Sequence, residues 1–147
     1  MIDRFQDGYF FLNNFYPCAV EYRGIQFRCA EAAFQAQKCR NEGDKARFAG
    51  MNATEARNAG RAVSIRPDWE AVKVSEMRAV VKAKFAQNPE LCQALLDTGD
   101  AYLEEGNTWG DRTWGTVDGR GANLLGQILM EAREGFREQI LEEDTCL

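Results

Sequence analysis

The period of hydrophobic and polar positions changes several times along this chain. Tyr9-Phe10-Phe11-Leu12, Ala19-Val20-Glu21-Tyr22 and Ile25-Gln26-Phe27 read as strands, with Arg23-Gly24 as the turn between the last two. From Ala30 the period becomes helical and runs to about Arg40, with Phe34 and Lys38 four apart on one face. Asn52-Ala-Thr-Glu55 has capping-box spacing and predicts a short helix reaching Gly60. Pro67 suits a first helical turn, and Trp69, Val72, Val80, Val81 and Phe85 follow at helical spacing. Asn88-Pro89 restarts a helix that Thr98-Gly99 stops. Tyr102 to Asn123, rich in Gly, Trp, Asp and Asn, predicts loops and short strands. A last helix runs from about Asn123 to Glu143, its core face being Leu124, Leu125, Ile128 and Leu129. With no repeat, low-complexity stretch or linker, the expectation is a single domain over residues 1–147. Its class is α+β, predominantly helical with a small antiparallel sheet.

Composition narrows the chemistry. The chain has no histidine, which removes Ser-His-Asp and Cys-His triads and imidazole zinc sites. Acid–base work falls to carboxylates, lysine, tyrosine or water. There is no P-loop or dinucleotide fingerprint. Five cysteines, none in a C-x-x-C pair, read as buried reduced thiols. No apolar run approaches the roughly 18 residues of a membrane span, and the first seven residues are too polar for a signal peptide, so a cytoplasmic protein is expected. The net charge of −5 is uneven. Residues 1–40 carry five basic and four acidic side chains, residues 41–88 nine and six, and residues 89–147 four and thirteen. That balance argues against broad nucleic-acid adhesion while allowing a local grip on one or two phosphates.

Four segments carry candidate chemistry. Asn13 and Asn14, in Phe11-Leu-Asn-Asn-Phe15, form Asx-turns at a strand end or face a ligand. Glu31, Gln35 and Lys38 share one helical face with Phe34, as a polar site at an apolar boundary or as an ordinary helix surface with an acidic first turn. Asn107, Trp109, Asp111, Trp114 and Gly115 fall within the loop Glu105 to Gly115, suited either to a pocket wall or to a tryptophan-anchored structural loop. In the first case the tryptophans would stack on a base and Asp111 would hold ribose hydroxyls or a water. Finally, the Gly-rich approach Asp118-Gly-Arg-Gly-Ala-Asn123 opens the last helix. It predicts an anion-binding N-terminus, or Asn123 as N-cap.

Taken in order these segments resemble the NADAR family, which includes the YbiA-like N-glycosidases. The resemblance spans nearly the whole chain: Asn13-Asn14-Phe15, the E-x-x-F-Q-A-x-K helix from Glu31 to Lys38, Ala59-Gly-Arg61, Arg66-Pro-Asp-Trp69, Lys84-Phe85, E-G-N-x-W-x-D-x-x-W-G from Glu105, and N-x-L-G-x-x-L-M from Asn123. Where many relatives read S-E-H-Y-F-Q, this chain has Ala30-Glu-Ala-Ala-Phe-Gln35, keeping the acid and the amide and losing the His-Tyr pair. The departure bears on substrate choice more than on reaction type.

The resemblance implies hydrolysis of the C–N bond between ribose C1 and an amine nitrogen, without metal or cofactor. Implied substrates are ribosylaminopyrimidine phosphates of riboflavin synthesis or ADP-ribosylated guanine, the latter including a modified guanine in nucleic acid. Such cleavage builds positive charge at C1 and the ring oxygen, which a carboxylate stabilises. Glu31 is the candidate for that role, and Asp111 for assisting the leaving nitrogen or holding the ribose diol. A second route opens the aminoribose to an imine that Lys38 attacks, forming a Schiff base. Arg61, Arg66 and Lys73 are candidate phosphate contacts, each with an ordinary surface-charge alternative. Asn14, Gln35, Asn107, Trp109, Trp114, Gly115 and Asn123 complete the expected substrate contacts. The competing class is a module that binds NAD or ADP-ribose without turnover.

Overall fold

The computed structural model describes residues 1–145; Cys146 and Leu147, which end the acidic tail, lie outside the described residues. The chain forms two compact units, one of Asn13–Asn88, the other of Met1–Leu12 with the chain from Pro89 onward. The class is the expected α+β, mostly helical with one two-stranded antiparallel sheet.

In the unit Asn13–Asn88, strands β1 (Pro17–Tyr22) and β2 (Ile25–Cys29) pair through a hairpin whose Arg23 and Gly24 both have positive φ, 51° and 82°. A two-residue primed turn requires that geometry. Helix α1 (Ala30–Ala36) follows at once, and every residue in it except Glu31 is buried. Its Cys29 N-cap gives no side-chain bond; the Glu31 N–H donates instead to the Asn14 carbonyl at 3.0 Å. Around α1 lie α2 (Glu42–Ala46), a 3-10 turn (Arg47–Gly50), α3 (Ala53–Gly60) and α4 (Trp69–Gln87). The Asn52–Glu55 capping box is formed in both directions. Along α4 the buried stripe is Trp69, Glu76, Met77, Val80, Val81, Lys84 and Phe85. Glu76 is partnered in that stripe: Tyr22 Oη (2.6 Å) and Arg23 Nη2 (2.7 Å) donate to its two oxygens. Burial, helped by Glu76, pushes the Tyr22 phenol up to about 12.

The other unit holds α5 (Pro89–Asp97) and α6 (Leu124–Thr145). Arg133 and Arg137 of α6 donate to the carbonyls of Ala101 and Gly99, covering the turn after α5 where Gly99 has φ +64°. Leu125, Ile128 and Leu129 are buried as expected, Leu124 only in part.

Four sequence expectations need correction. Tyr9–Leu12 is no strand but part of a 3-10 helix (Asp7–Leu12) with only Leu12 buried, so its aromatic run lacks a strand partner. Helix α1 stops at Ala36 rather than near Arg40, and Lys38 sits in the turn beyond it. Pro67 lies before α4, whose N-cap is Asp68. Cys29 and Cys39 are buried free thiols, but Cys18 and Cys92 are only half-buried.

Candidate active site

Helix α1 and its neighbours bring together most of the polar residues expected from the first half of the chain. Gln35 Nε2 donates to Glu31 Oε1 at 2.8 Å, an i,i+4 pair along α1. Although α1 has ended, Lys38 stays beside this pair: its N–H bonds the Gln35 carbonyl, and its ammonium is within electrostatic range of Glu31, Arg61 and Lys73. Burial pulls the Lys38 ammonium below the usual lysine range, Glu31 opposes this, and Arg61 and Lys73 reinforce it. Its Nζ has no hydrogen bond or ion pair among the described residues. Phe34 and Trp69 form the apolar side of α1, their rings 5.2 Å apart and tilted by 51°.

Three amide oxygens in this unit are buried without a donor, those of Asn14, Gln35 and Gln37. Gln35 is 7% exposed and Asn14 6%; Gln35 Oε1 and Asn14 Oδ1 have no partner, while Asn14 Nδ2 points at Met77 Sδ, 3.2 Å away. A buried acceptor without a donor costs about 1–3 kcal/mol, so such atoms mark places where a ligand or water donor is favoured. Asn13 takes the Asx role, its Oδ1 accepting from Phe15 N–H.

The cationic candidates divide. Arg66 grips Asp68 in a fork of 2.6 and 2.9 Å, and Lys73 reaches Glu70 at 2.6 Å, so both are engaged by their own neighbours. Arg61, exposed just past the end of α3, has no side-chain partner among the described residues.

In the other unit the loop from Glu105 to Gly115 is built mainly on backbone bonds. The Asn107 amide is buried and bonded at both ends, Nδ2 to the Asp111 carbonyl (2.8 Å) and Oδ1 from the Asp111 N–H (3.0 Å). Asp111 Oδ1 caps the N–H groups of Thr113 and Trp114, leaving Oδ2 without a partner among the described residues. Trp109 is 62% exposed and Trp114 half-buried. Gly115 is obligatory, since a Cβ there would lie 2.1 Å from the Glu105 carbonyl oxygen.

Asn123 corrects the N-cap expectation. It is buried at φ +50°, and its amide accepts from the Glu105 N–H and donates to the Leu103 carbonyl, away from its own helix. The anion-binding N-terminus is corrected too: the N–H groups of Asn123, Leu124 and Leu125 already meet the carbonyls of Gly115, Thr113 and Trp114. An open cleft of about 280 Å³ in this unit is lined by Asp3, Arg4, Glu104, Asn107, Trp109 and Asp118, among others; of these only Asn107 and Trp109 were candidates from sequence.

Two residues escaped the sequence reading. Lys84 is fully buried, donating to the Asn13 carbonyl at 3.0 Å and lying 5.8 Å from the Tyr16 ring; burial lowers its pKa to about 8. Gly60 sits against the Gln35 side chain, where a Cβ would meet Oε1 at 2.0 Å. The Lys84-Phe85 and Ala59-Gly-Arg61 pieces contained both, but neither contact has a local sequence signal.

The chain is thus a small α+β protein that sets a carboxylate, an amide and an amine along one helix and the turn after it. The chain belongs to the NADAR family: the NADAR domain model matches residues 3–137. It is 37% identical to the N-glycosidase YbiA of Escherichia coli over 132 residues, covering 87% of this chain and 82% of that one. An N-glycosidase of Nostoc punctiforme is 34% identical over 132 residues, covering 85% and 84%. A riboflavin biosynthesis protein of Vibrio vulnificus is 38% identical over 137 residues, 87% of this chain; the match spans only 36% of that longer protein. The solved structure of Escherichia coli YbiA superposes with a TM-score of 0.83 at 34% identity, covering 97% of this chain and 90% of that one.

Proposed function

We propose that this chain is a hydrolase that cleaves the N-glycosidic bond between ribose C1 and an amine nitrogen. The observation that carries the reading is the Glu31–Gln35–Lys38 grouping, in a chain whose relatives bear the name N-glycosidase. Its substrates are small phosphoribosyl compounds, with ribosylaminopyrimidine phosphates favoured by the riboflavin biosynthesis name of the Vibrio relative.

Lys38 supports the covalent route. An amine held below the usual lysine range by burial has more of the neutral, nucleophilic form near neutral pH. The ring oxygen of the aminoribose takes up a proton as the ring opens, leaving a C1=N imine to the departing amine. Lys38 Nζ adds to C1, the amine leaves with a proton, and a Lys38 imine remains. Glu31 takes a proton from the water that adds to C1 and returns it to the lysine nitrogen; the carbinolamine then passes its hydroxyl proton to that nitrogen and collapses to free sugar and neutral lysine. The net reaction consumes one water and releases one amine. In the direct alternative, Glu31 activates water against the closed sugar and no adduct forms.

Arg61 is the phosphate contact best supported, being the cationic candidate without a carboxylate neighbour holding it. Asn14 Oδ1 offers an acceptor to a sugar hydroxyl or amine. Asp111 Oδ2, Trp109 and Trp114 are proposed as ligand contacts of their own unit, on a loop shaped by Asn107, Gly115 and Asn123.

Purified protein should release amine from the aminouracil ribose phosphate, and borohydride added during turnover should fix the sugar on Lys38. Turnover of ADP-ribosylated guanine alone would replace the metabolite with that substrate. Tight ADP-ribose binding without release of amine from either compound would establish a binding module and overturn the hydrolase reading.

A further inference from the structure

The amide of Gln35 is held from two sides. Its Nε2 meets Glu31 Oε1 at 2.8 Å, and its Oε1, buried and without a donor, lies over Gly60 of α3, where a Cβ would approach to 2.0 Å and reach Cδ at 2.8 Å. A carboxylate only accepts, so the amide must turn its N–H toward Glu31; the reverse orientation would place two acceptors together. No hydrogen bond fixes Oε1. Packing onto a residue without a side chain does so instead.

We propose that Gln35 is a positioning residue and Gly60 its seat: together they hold the Glu31 carboxylate in one orientation and favour its ionised form. An N–H bonded to a carboxylate stabilises the charged state over the neutral one. Any side chain at position 60 would push the amide tip away, and the tip is the part of Gln35 that can yield. The result would be a folded protein whose Glu31 has lost the Gln35 N–H. This role rests on the reading of Glu31 as the acid–base group, and it assigns to Gly60, remote from the chemistry in sequence, control over that group.

Several charged or titratable groups lie around Glu31 and its neighbours. Lys38 follows α1, and Cys29 precedes it in β2; both act on Glu31. Arg61, past α3, and Lys73 of α4 act on Lys38. Asp44, Lys45 and Arg47, from α2 and the 3-10 turn, act on Cys39, and Glu76 of α4 is held by Tyr22 and Arg23. Uncharged substitutions at 35 and 60 leave all of these in place.

The test is a side-chain carboxyl 13C NMR titration of Glu31 in the full-length protein, compared among wild type, Gln35→Met and Gly60→Ala. Gln35→Met keeps the bulk and removes the donor; Gly60→Ala keeps the donor and removes its seat. Both should raise the Glu31 midpoint by about one pH unit, a tenfold change in its ionisation constant. An unmoved midpoint in Gln35→Met overturns the inference, and one unmoved in Gly60→Ala alone overturns the seat. If one variant fails to fold, the other supplies the same readout. The titration needs no substrate, so it is separate from the catalytic reading, which fails on its own terms if Glu31→Gln retains full turnover.

Discussion

The two polar regions of this protein are built in opposite ways. Around α1 the reactive-type side chains project from regular helix and the turn after it, and several keep unmet capacity: Lys38 Nζ, Gln35 Oε1 and Asn14 Oδ1. In the loop from Glu105 to Gly115, the Asn107 amide and Asp111 Oδ1 are engaged by the loop's own backbone. A rigid helix leaves its side chains to chemistry because its backbone satisfies itself. An irregular loop must recruit side chains to satisfy its backbone, so amides that look like ligand contacts become architecture. Changes near α1 should therefore alter turnover before stability, and changes in the loop stability before turnover.

The largest effect falls on Glu31. Glu31→Gln should lower turnover at least about 100-fold with an unchanged thermal melt, because one positioned acid–base group contributes about that much. Near-normal rates in the folded variant would break the assignment of chemistry to α1. Lys38→Ala should lose both turnover and the borohydride adduct. In wild type the rate should rise with pH as Lys38 gives up its proton, with a midpoint below 10.5, the direction its burial sets. Unchanged turnover at saturating substrate would leave Lys38 a binding group only.

Lys84 sharpens the contrast between burial that serves chemistry and burial that costs stability. Its folded pKa, about 8, lies below its ordinary 10.5. Between those values the unfolded chain binds the extra proton, so the Lys84 contribution makes the fold more stable as pH rises through that window, by on the order of 3 kcal/mol. Denaturant unfolding of Lys84→Met should show that rise removed relative to wild type. For the loop, Gly115→Ala should cost about 1–3 kcal/mol, since its Cβ meets a backbone carbonyl that cannot swing aside. An unchanged melting temperature would show that the loop is looser than its bonds indicate. The smallest effect is none at all: EDTA should leave turnover unchanged, as neither region has an imidazole to hold zinc.

Much of the local structure was legible from residue pattern. The Arg23-Gly24 hairpin turn, the Asn52–Glu55 capping box and the stop at Gly99 each depend on backbone conformations or bonds within a few residues, and local chemistry decides those. The pairing of Glu31 with Gln35 was legible for the same reason, because i,i+4 spacing on a helix is fixed by its pitch. Tyr9–Leu12 was misread because an apolar run fits a strand or a tight helix equally until a neighbour is known. Lys38 belongs beside Glu31, yet not through the helical spacing that suggested it; the turn after Ala36 delivers it there. What only the tertiary structure decided are the meetings between distant segments: Gly60 beneath Gln35, Lys84 beneath Asn13, and Asn123 turned to Glu105 rather than to its own helix. Residue type and spacing carry propensities along the chain. Whether a buried amide or amine finds a partner depends on which other segment packs against it, and no local pattern encodes that.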